Sequence, residues 1–253
     1  MQISIDAGWA VAVFLVSLRL SFLFLLSPVF SGLAAPVAPR VLLTLALAAL
    51  LVAGGALRPA LPDYTLGSLV QGALGEAVVG ITLSFGVFAA FGAFSMAGKL
   101  LDIQSGFGIG SVYDPVTRSG APMFAAILNL VAVALFFALD AHHALMRGIA
   151  FSLQQVPPGA GLALPLEAVL AQFGLVFSMG LALVIPVMLC LLLIEIGLAV
   201  VSRALPQMNV FVISIPVKLV AGVSIFALCA PALEPAMGRV YASIFTFWER
   251  ALH

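Results

Sequence analysis

Six apolar runs, at residues 10–30, 41–57, 77–98, 121–139, 169–194 and 210–230, take up about half of this 253-residue chain. A helix needs roughly 20 mostly apolar residues to cross the hydrocarbon of a bilayer. Each run is near or above that length, the second being at the short limit. Hydrophobic residues make up 64% of the chain and charged ones 8%, where a soluble domain carries about 25% charged residues. The expected fold is therefore an all-α membrane protein of about six hydrophobic helices. Ten basic and ten acidic residues cancel, so no overall field attracts nucleic acid or an acidic ligand.

The connections are rich in Pro and Gly: "SPVFSGLAAPVAPR", "RPALPDYTLG", "LDIQSGFGIGSVYDPVTRSGAP", "VPPGAGLALP" and "SRALPQMN". Such segments end helices, so the chain reads as helical hairpins with no soluble domain between them. The N-terminal stretch lacks a basic n-region and carries Asp6, with Arg19 inside the first run, and so reads as the first membrane segment of the mature chain. Residues 231–253 differ from the rest. Leu233, Met237, Val240, Ile244, Phe247 and Ala251 recur at helical spacing, with Arg239, Ser243, Thr246 and Arg250 on other positions, which predicts an amphipathic C-terminal helix lying on a membrane surface, on a partner or on the chain itself. Basic residues do not orient the chain: alternate loops carry Arg40, Lys99, Arg118 and Arg203 on one side and Arg58, Arg147, Arg239 and Arg250 on the other.

A charge inside an apolar segment costs about 2.5–3.5 kcal/mol on insertion scales and is a functional candidate by default. Arg19, Glu76, Lys99, Glu195 and Lys218 qualify, with Asp102 one turn beyond Lys99. Glu76, Lys99 and Asp102 lie at the ends of the third run, where snorkelling to the interface accounts for them. Arg19, Glu195 and Lys218 sit deeper and call for interhelical or intersubunit ion pairs, or a substrate or proton path. The third run also carries Phe85, Phe88, Phe91 and Phe94 at every third position. A three-residue step falls about 60° short of a full turn, so this stripe winds around the helix and predicts packing on several sides.

Two motifs invite chemistry and do not sustain it. "DAHH", residues 140–143, suggests a metal or proton relay, but adjacent histidines point about 100° apart on a helix, and the chain's remaining histidine is His253. An interfacial polar cluster is expected there, and no metal. "GFGIG" lacks the preceding strand and the GK[ST] of a phosphate-binding loop. Cys190 and Cys229 lie in apolar runs as small hydrophobes. No cofactor is expected.

Four stretches together resemble the FliR/SctT family of type III export-gate proteins: "GEAVVGITLSFG" (75–86), "AGKLLDIQSGFGIGSVYDP" (97–115), "LDAHHALMRGIAFSLQQVPPG" (139–159) and "EIGLAVVSRALPQMNVFVISIPVKLVAG" (195–222). Ala141 stands where a small residue such as Gly is expected. The resemblance implies a structural and gating subunit, not an enzyme, of the flagellar protein export gate. Its expected location is the bacterial inner (cytoplasmic) membrane at the flagellar basal body. Its implied partners are FliP-like and FliQ-like subunits, an FlhB-like subunit, membrane lipid and the unfolded flagellar proteins that pass through, with no nucleic acid. It further implies a FliP-like part at 1–160 that includes the glycine-rich loop 101–122, a FliQ-like hairpin at 161–230 and the amphipathic helix at 231–253.

By the same resemblance the loop 106–120 is the plug of the pore, with Gly106, Phe107, Gly108, Ile109, Gly110, Ser111, Val112, Tyr113, Asp114 and Pro115 as its gating residues. Glu195, Arg203, Pro206, Gln207, Asn209 and Lys218 are then assembly contacts around the turn "ALPQMN". Two other classes compete. A small secondary transporter uses intramembrane charges and broken helices, but no inverted repeat is evident. An intramembrane enzyme built on Asp140, His142 and His143 lacks a third ligand or a nucleophile.

Overall fold

The structure is a computed structural model that describes residues 7–28, 36–55, 57–106, 122–161, 163–204 and 210–252. Among the described residues the regular elements are seven helices: α1 (Ala7–Leu26), α2 (Val37–Gly55), α3 (Leu66–Ser105), α4 (Met123–Ala138), α5 (Ala141–Gln155), α6 (Leu166–Ala204) and α7 (Val210–Leu252). Among the described residues there is no strand. Five helices (α1, α2, α3, α6 and α7) are long and apolar enough to cross a membrane, and the pair α4 and α5, interrupted at Leu139 and Asp140, makes a sixth if it is one broken span.

Three helices outrun the apolar stretches that announced them. α3 has 40 residues, α6 has 39 and α7 has 43, each about 60 Å at 1.5 Å per residue against roughly 30 Å of hydrocarbon. An apolar run reports how much helix avoids water, whereas helix length is set by where the backbone must turn. Thr65 starts α3: its carbonyl accepts from Leu69 N–H, and its hydroxyl lies 3.5 Å from Ser68 N–H. Hydrogen bonds from the Ser68 and Thr65 hydroxyls hold the exposed Asp63 carboxyl below its usual range. Prolines did not stop α7, which contains Pro216, Pro231 and Pro235. Each removes one intrahelical donor while the helix continues, so residues 231–252 extend the helix that carries Lys218.

The chain divides into two compact units. The first comprises Met1–Ala89, Asp140–Phe173 and Ala242–His253. Here α1 packs on α2, and Leu15, Leu20, Leu23, Leu83, Leu145 and Trp248 are fully buried. The Trp248 indole N–H donates to the carbonyl of Leu83 at 3.0 Å. A Cβ on Gly86 would lie 2.8 Å from the Phe247 ring and 2.9 Å from Trp248 Nε1, and one on Gly148 would collide with the Trp248 ring, so both positions serve close approach of the indole. Phe85 meets Phe247 edge-on at 5.8 Å.

The second unit comprises Ala90–Leu139 and Gly174–Tyr241. Its centre is a ring cluster in which Tyr241 lies 5.6 Å from Phe94, 5.6 Å from Phe136 and 6.1 Å from Phe91. The Tyr241 hydroxyl donates to the Ala132 carbonyl at 2.6 Å, which settles the one polar group there. α6 crosses α3 where a Cβ on Gly180 would lie 2.9 Å from the Ala93 carbonyl. The phenylalanine stripe of α3 does wind: Phe91 and Phe94 are buried while Phe88 is 57% exposed. Two-thirds of the most apolar window of α3 is buried, against 17% for α6 and 6% for α7. Leu170, Leu193, Val220 and Leu228 are among the large apolar side chains left open.

Candidate functional site

The charge buried deepest in an apolar run has a complete set of partners. Arg19, midway along α1, and Glu76, in α3, are both fully buried. Arg19 Nε donates to Glu76 Oε2 at 2.6 Å and an Nη2 proton to Oε1 at 2.9 Å, a bidentate pair. The other Nη2 proton reaches the Val156 carbonyl at 2.9 Å, and Nη1 serves the Ser152 carbonyl at 3.0 Å and hydroxyl at 3.3 Å. Five guanidinium N–H groups thus meet five acceptors, the full donor inventory of arginine. Glu76 Oε1 also accepts from Gly159 N–H at 2.8 Å. Glu76 does not snorkel as its place at the end of a run predicted; it faces inward because Arg19 waits there.

Glycines bring the backbones close enough for this short reach. A Cβ on Gly80, one turn after Glu76, would lie 2.8 Å from the Arg19 carbonyl. One on Gly75 would lie 2.7 Å from the Gly161 Cα. Gly159 and Gly161 hold φ of +85° and +74°, a region where a Cβ is strained, so the segment after α5 folds back over α3 through glycines on both sides. The Pro158 carbonyl accepts from Ala60 N–H at 2.7 Å and joins the segment before α3 to the same knot.

Asp102 forms a second buried centre, in the second unit. It is 3% exposed, and its two oxygens accept from Phe124 N–H at 2.8 Å and Ala125 N–H at 3.1 Å. The N-cap of α4 is Pro122, which offers no side-chain cap. Asp102 supplies from α3 what the N-cap cannot, satisfying two of the four free N–H groups and placing a negative charge at the positive helix end. Gly98, one turn earlier, lies so close to Phe124 and Ala125 that a Cβ would collide. Gly106 follows in a turn at φ +88°, its N–H donating to the Ile103 carbonyl at 3.2 Å.

Lys218 Nζ lies 3.0 Å from Glu195 Oε1, joining α7 to α6, with side chains 13% and 52% exposed. Lys99 and Arg203 are exposed. Phe107, Gly108, Ile109, Gly110, Ser111, Val112, Tyr113, Asp114, Pro115, Pro206, Gln207 and Asn209 lie outside the described residues. Ser152 and Val156 were missed as partners of Arg19, and Gly159 as a partner of Glu76, although "SLQQVPPG" stood in a quoted motif. Backbone carbonyls leave no mark in a sequence. At "DAHH" Asp140 is the N-cap of α5 and not a helical residue, and the His142 and His143 rings stand 4.1 Å apart although the two residues are adjacent on the helix. One ligand atom each of Asp140, His142 and His143 fall within 4.8 Å of one another.

Apart from Arg19 and Gly161, the glycines and charges of the two buried centres lie in three of the four resembling motifs, and residues 10–244 match the family described as bacterial export proteins, family 1. The chain belongs to that family. It is 30% identical over 176 residues to the flagellar biosynthetic protein FliR of Escherichia coli (strain K12), covering 68% of this chain and 67% of that protein. It is 28% identical over 172 residues to FliR of Pectobacterium carotovorum subsp. carotovorum, with 67% and 66% covered. A match to the surface presentation of antigens protein SpaR of Shigella flexneri has 29% identity and covers 62% of each. The aligned part spans about two thirds of the length of these curated relatives. The export-family chain is thus an all-helical, multi-pass protein whose relatives include both flagellar proteins and proteins named for secretion and surface presentation.

Proposed function

We propose that this export-family chain is a structural and gating subunit of the flagellar type III protein export gate, in the bacterial cytoplasmic membrane at the flagellar basal body. The observation that carries the reading is the family match over residues 10–244 together with relatives named as flagellar biosynthetic proteins. In it the chain joins FliP-like, FliQ-like and FlhB-like subunits in a pore-forming core that passes unfolded flagellar proteins and does no covalent chemistry. The open apolar faces of α6 and α7 support this, since apolar area of that extent calls for lipid or other subunits.

Residues 1–160 would be the FliP-like part, 161–230 the FliQ-like hairpin and 231–253 the amphipathic end. The compact units interleave these segments, so the parts are divisions of sequence and not of folding. The loop 106–120 would be the plug, its neck held by Asp102 on the α4 side. Glu195, Arg203, Pro206, Gln207, Asn209 and Lys218 would be assembly contacts.

Affinity purification of the chain from its native cells in mild detergent tests the reading. Co-purification of FliP-like and FliQ-like proteins in one large complex is expected; a monomer or simple homodimer without them would overturn it and favour a small transporter. Deleting residues 106–115 should leave that complex intact and raise resting ion leak, and an unchanged conductance would remove the plug from the account.

A further inference from the structure

We propose that Asp140, His142 and His143 form a binding site for a divalent transition-metal ion of the zinc class. Asp140 holds φ 54° and ψ 23°, the one positive-φ residue other than glycine among those described. In that conformation its carboxylate makes none of the capping bonds an N-cap aspartate ordinarily makes to the first turn. It turns instead to His143, whose Nδ1 lies 3.3 Å from Asp140 Oδ1. Two donors on one zinc ion at bonds of about 2.0–2.1 Å stand about 3.3 Å apart in a tetrahedral arrangement, so this edge is already the right length.

His142 supplies the third donor. Its ring centre is 4.1 Å from that of His143 at an interplanar angle of 38°, and all three ligand atoms lie within 4.8 Å of one another. The exposed side chains of Asp140 and His143 can turn by the remaining ångström or so. Two imidazoles and a carboxylate favour zinc, copper or nickel over the oxygen-seeking magnesium and calcium. Three protein ligands with an open fourth position leave room for water or an outside ligand. The positive N-terminal end of α5 opposes a cation, and the Asp140 charge offsets it. The bound ion would tie the N-cap of α5 to its first turn.

The experiment is a calorimetric titration of the full chain with zinc chloride, in detergent, after purification through a tag without histidine and removal of metal by chelator. One zinc per chain is expected, unaffected by excess magnesium. Asp140→Asn and His143→Ala should each weaken binding tenfold or more, in line with the 10–100-fold losses seen even for outer partners of a metal ligand. His253→Ala should leave it unchanged. The wild-type chain gives a second readout that needs no variant: zinc should raise its melting temperature, chelator should reverse the rise, and magnesium should not produce it. Absence of saturable binding, leaving a hydrogen-bonded Asp–His pair only, would overturn the proposal. So would binding that survives His142→Ala/His143→Ala.

Discussion

Two ion pairs between helices are built on opposite terms. Arg19 and Glu76 are fully buried, bidentate, and joined by two carbonyls, a hydroxyl and a backbone N–H. Glu195 and Lys218 share one contact of 3.0 Å and leave the glutamate half exposed. A buried charge survives only when its geometry is saturated, so the first pair is a closed knot that asks nothing of its surroundings. The second sits on helices whose apolar faces are mostly open. Its environment is incomplete within this chain, and lipid, water or another subunit must finish it.

The largest effect should come from breaking the closed knot. Glu76→Ala leaves a guanidinium buried without its carboxylate and should cost about 3–5 kcal/mol, read as lost thermal stability of the purified chain or as lost abundance in cells. Replacing both partners by apolar residues often restores stability at buried pairs, but here it should recover only part. Arg19→Met/Glu76→Met would still strand the Val156 carbonyl and the Gly159 N–H, at about 1–3 kcal/mol for each unsatisfied group. Full recovery in the double variant would mean that the backbone bonds carry little and that the two pairs differ less than their geometry says.

That knot was half legible. Arg19 stood out because a charge within an apolar run has no local excuse, and the helical class followed from run length. Glu76 did not stand out, since a carboxylate at a run's end has an ordinary interfacial explanation. What decides its fate lies 57 residues away, at a crossing set by Gly80 and by a segment held back through Gly159 and Gly161. Spacing within a helix cannot report where a second helix crosses it. The lengths of α3, α6 and α7 were illegible for a related reason: polar flanks continue a helix as readily as apolar ones when no residue turns the chain. Asp102 was assigned to the interface, while its partners are two N–H groups of a helix that begins 21 residues later, across the glycine-rich loop.

Asp102 sits between the two pairs in character, a buried charge whose partners are backbone alone. Asp102→Ala should cost about 1–3 kcal/mol, the range for leaving buried donors unsatisfied, with Asp102→Asn intermediate because the amide keeps one acceptor oxygen. Hydrogen exchange read at Phe124 and Ala125 separates this from a general loosening. Faster exchange confined to the first turn of α4 is expected, and uniform acceleration along the chain would show that Asp102 supports the whole second unit and not one helix end.

The smallest effect on the isolated chain should come from Lys218→Ala, because a partly exposed pair is worth about 0–1 kcal/mol. The outcome depends on what Glu195 then faces. In water or headgroups the bereft carboxylate keeps its solvation and the loss stays within that range. Against hydrocarbon the penalty should climb toward the 2.5–3.5 kcal/mol of a charge in a membrane segment, and Lys218→Ala/Glu195→Ala should then be more stable than Lys218→Ala. Measuring both variants in detergent and again in the assembled complex locates the missing surroundings. A cost that is small in detergent and large in the complex places another subunit against the pair, whereas equal costs in both leave the pair to lipid or water and remove Glu195 and Lys218 from the assembly contacts.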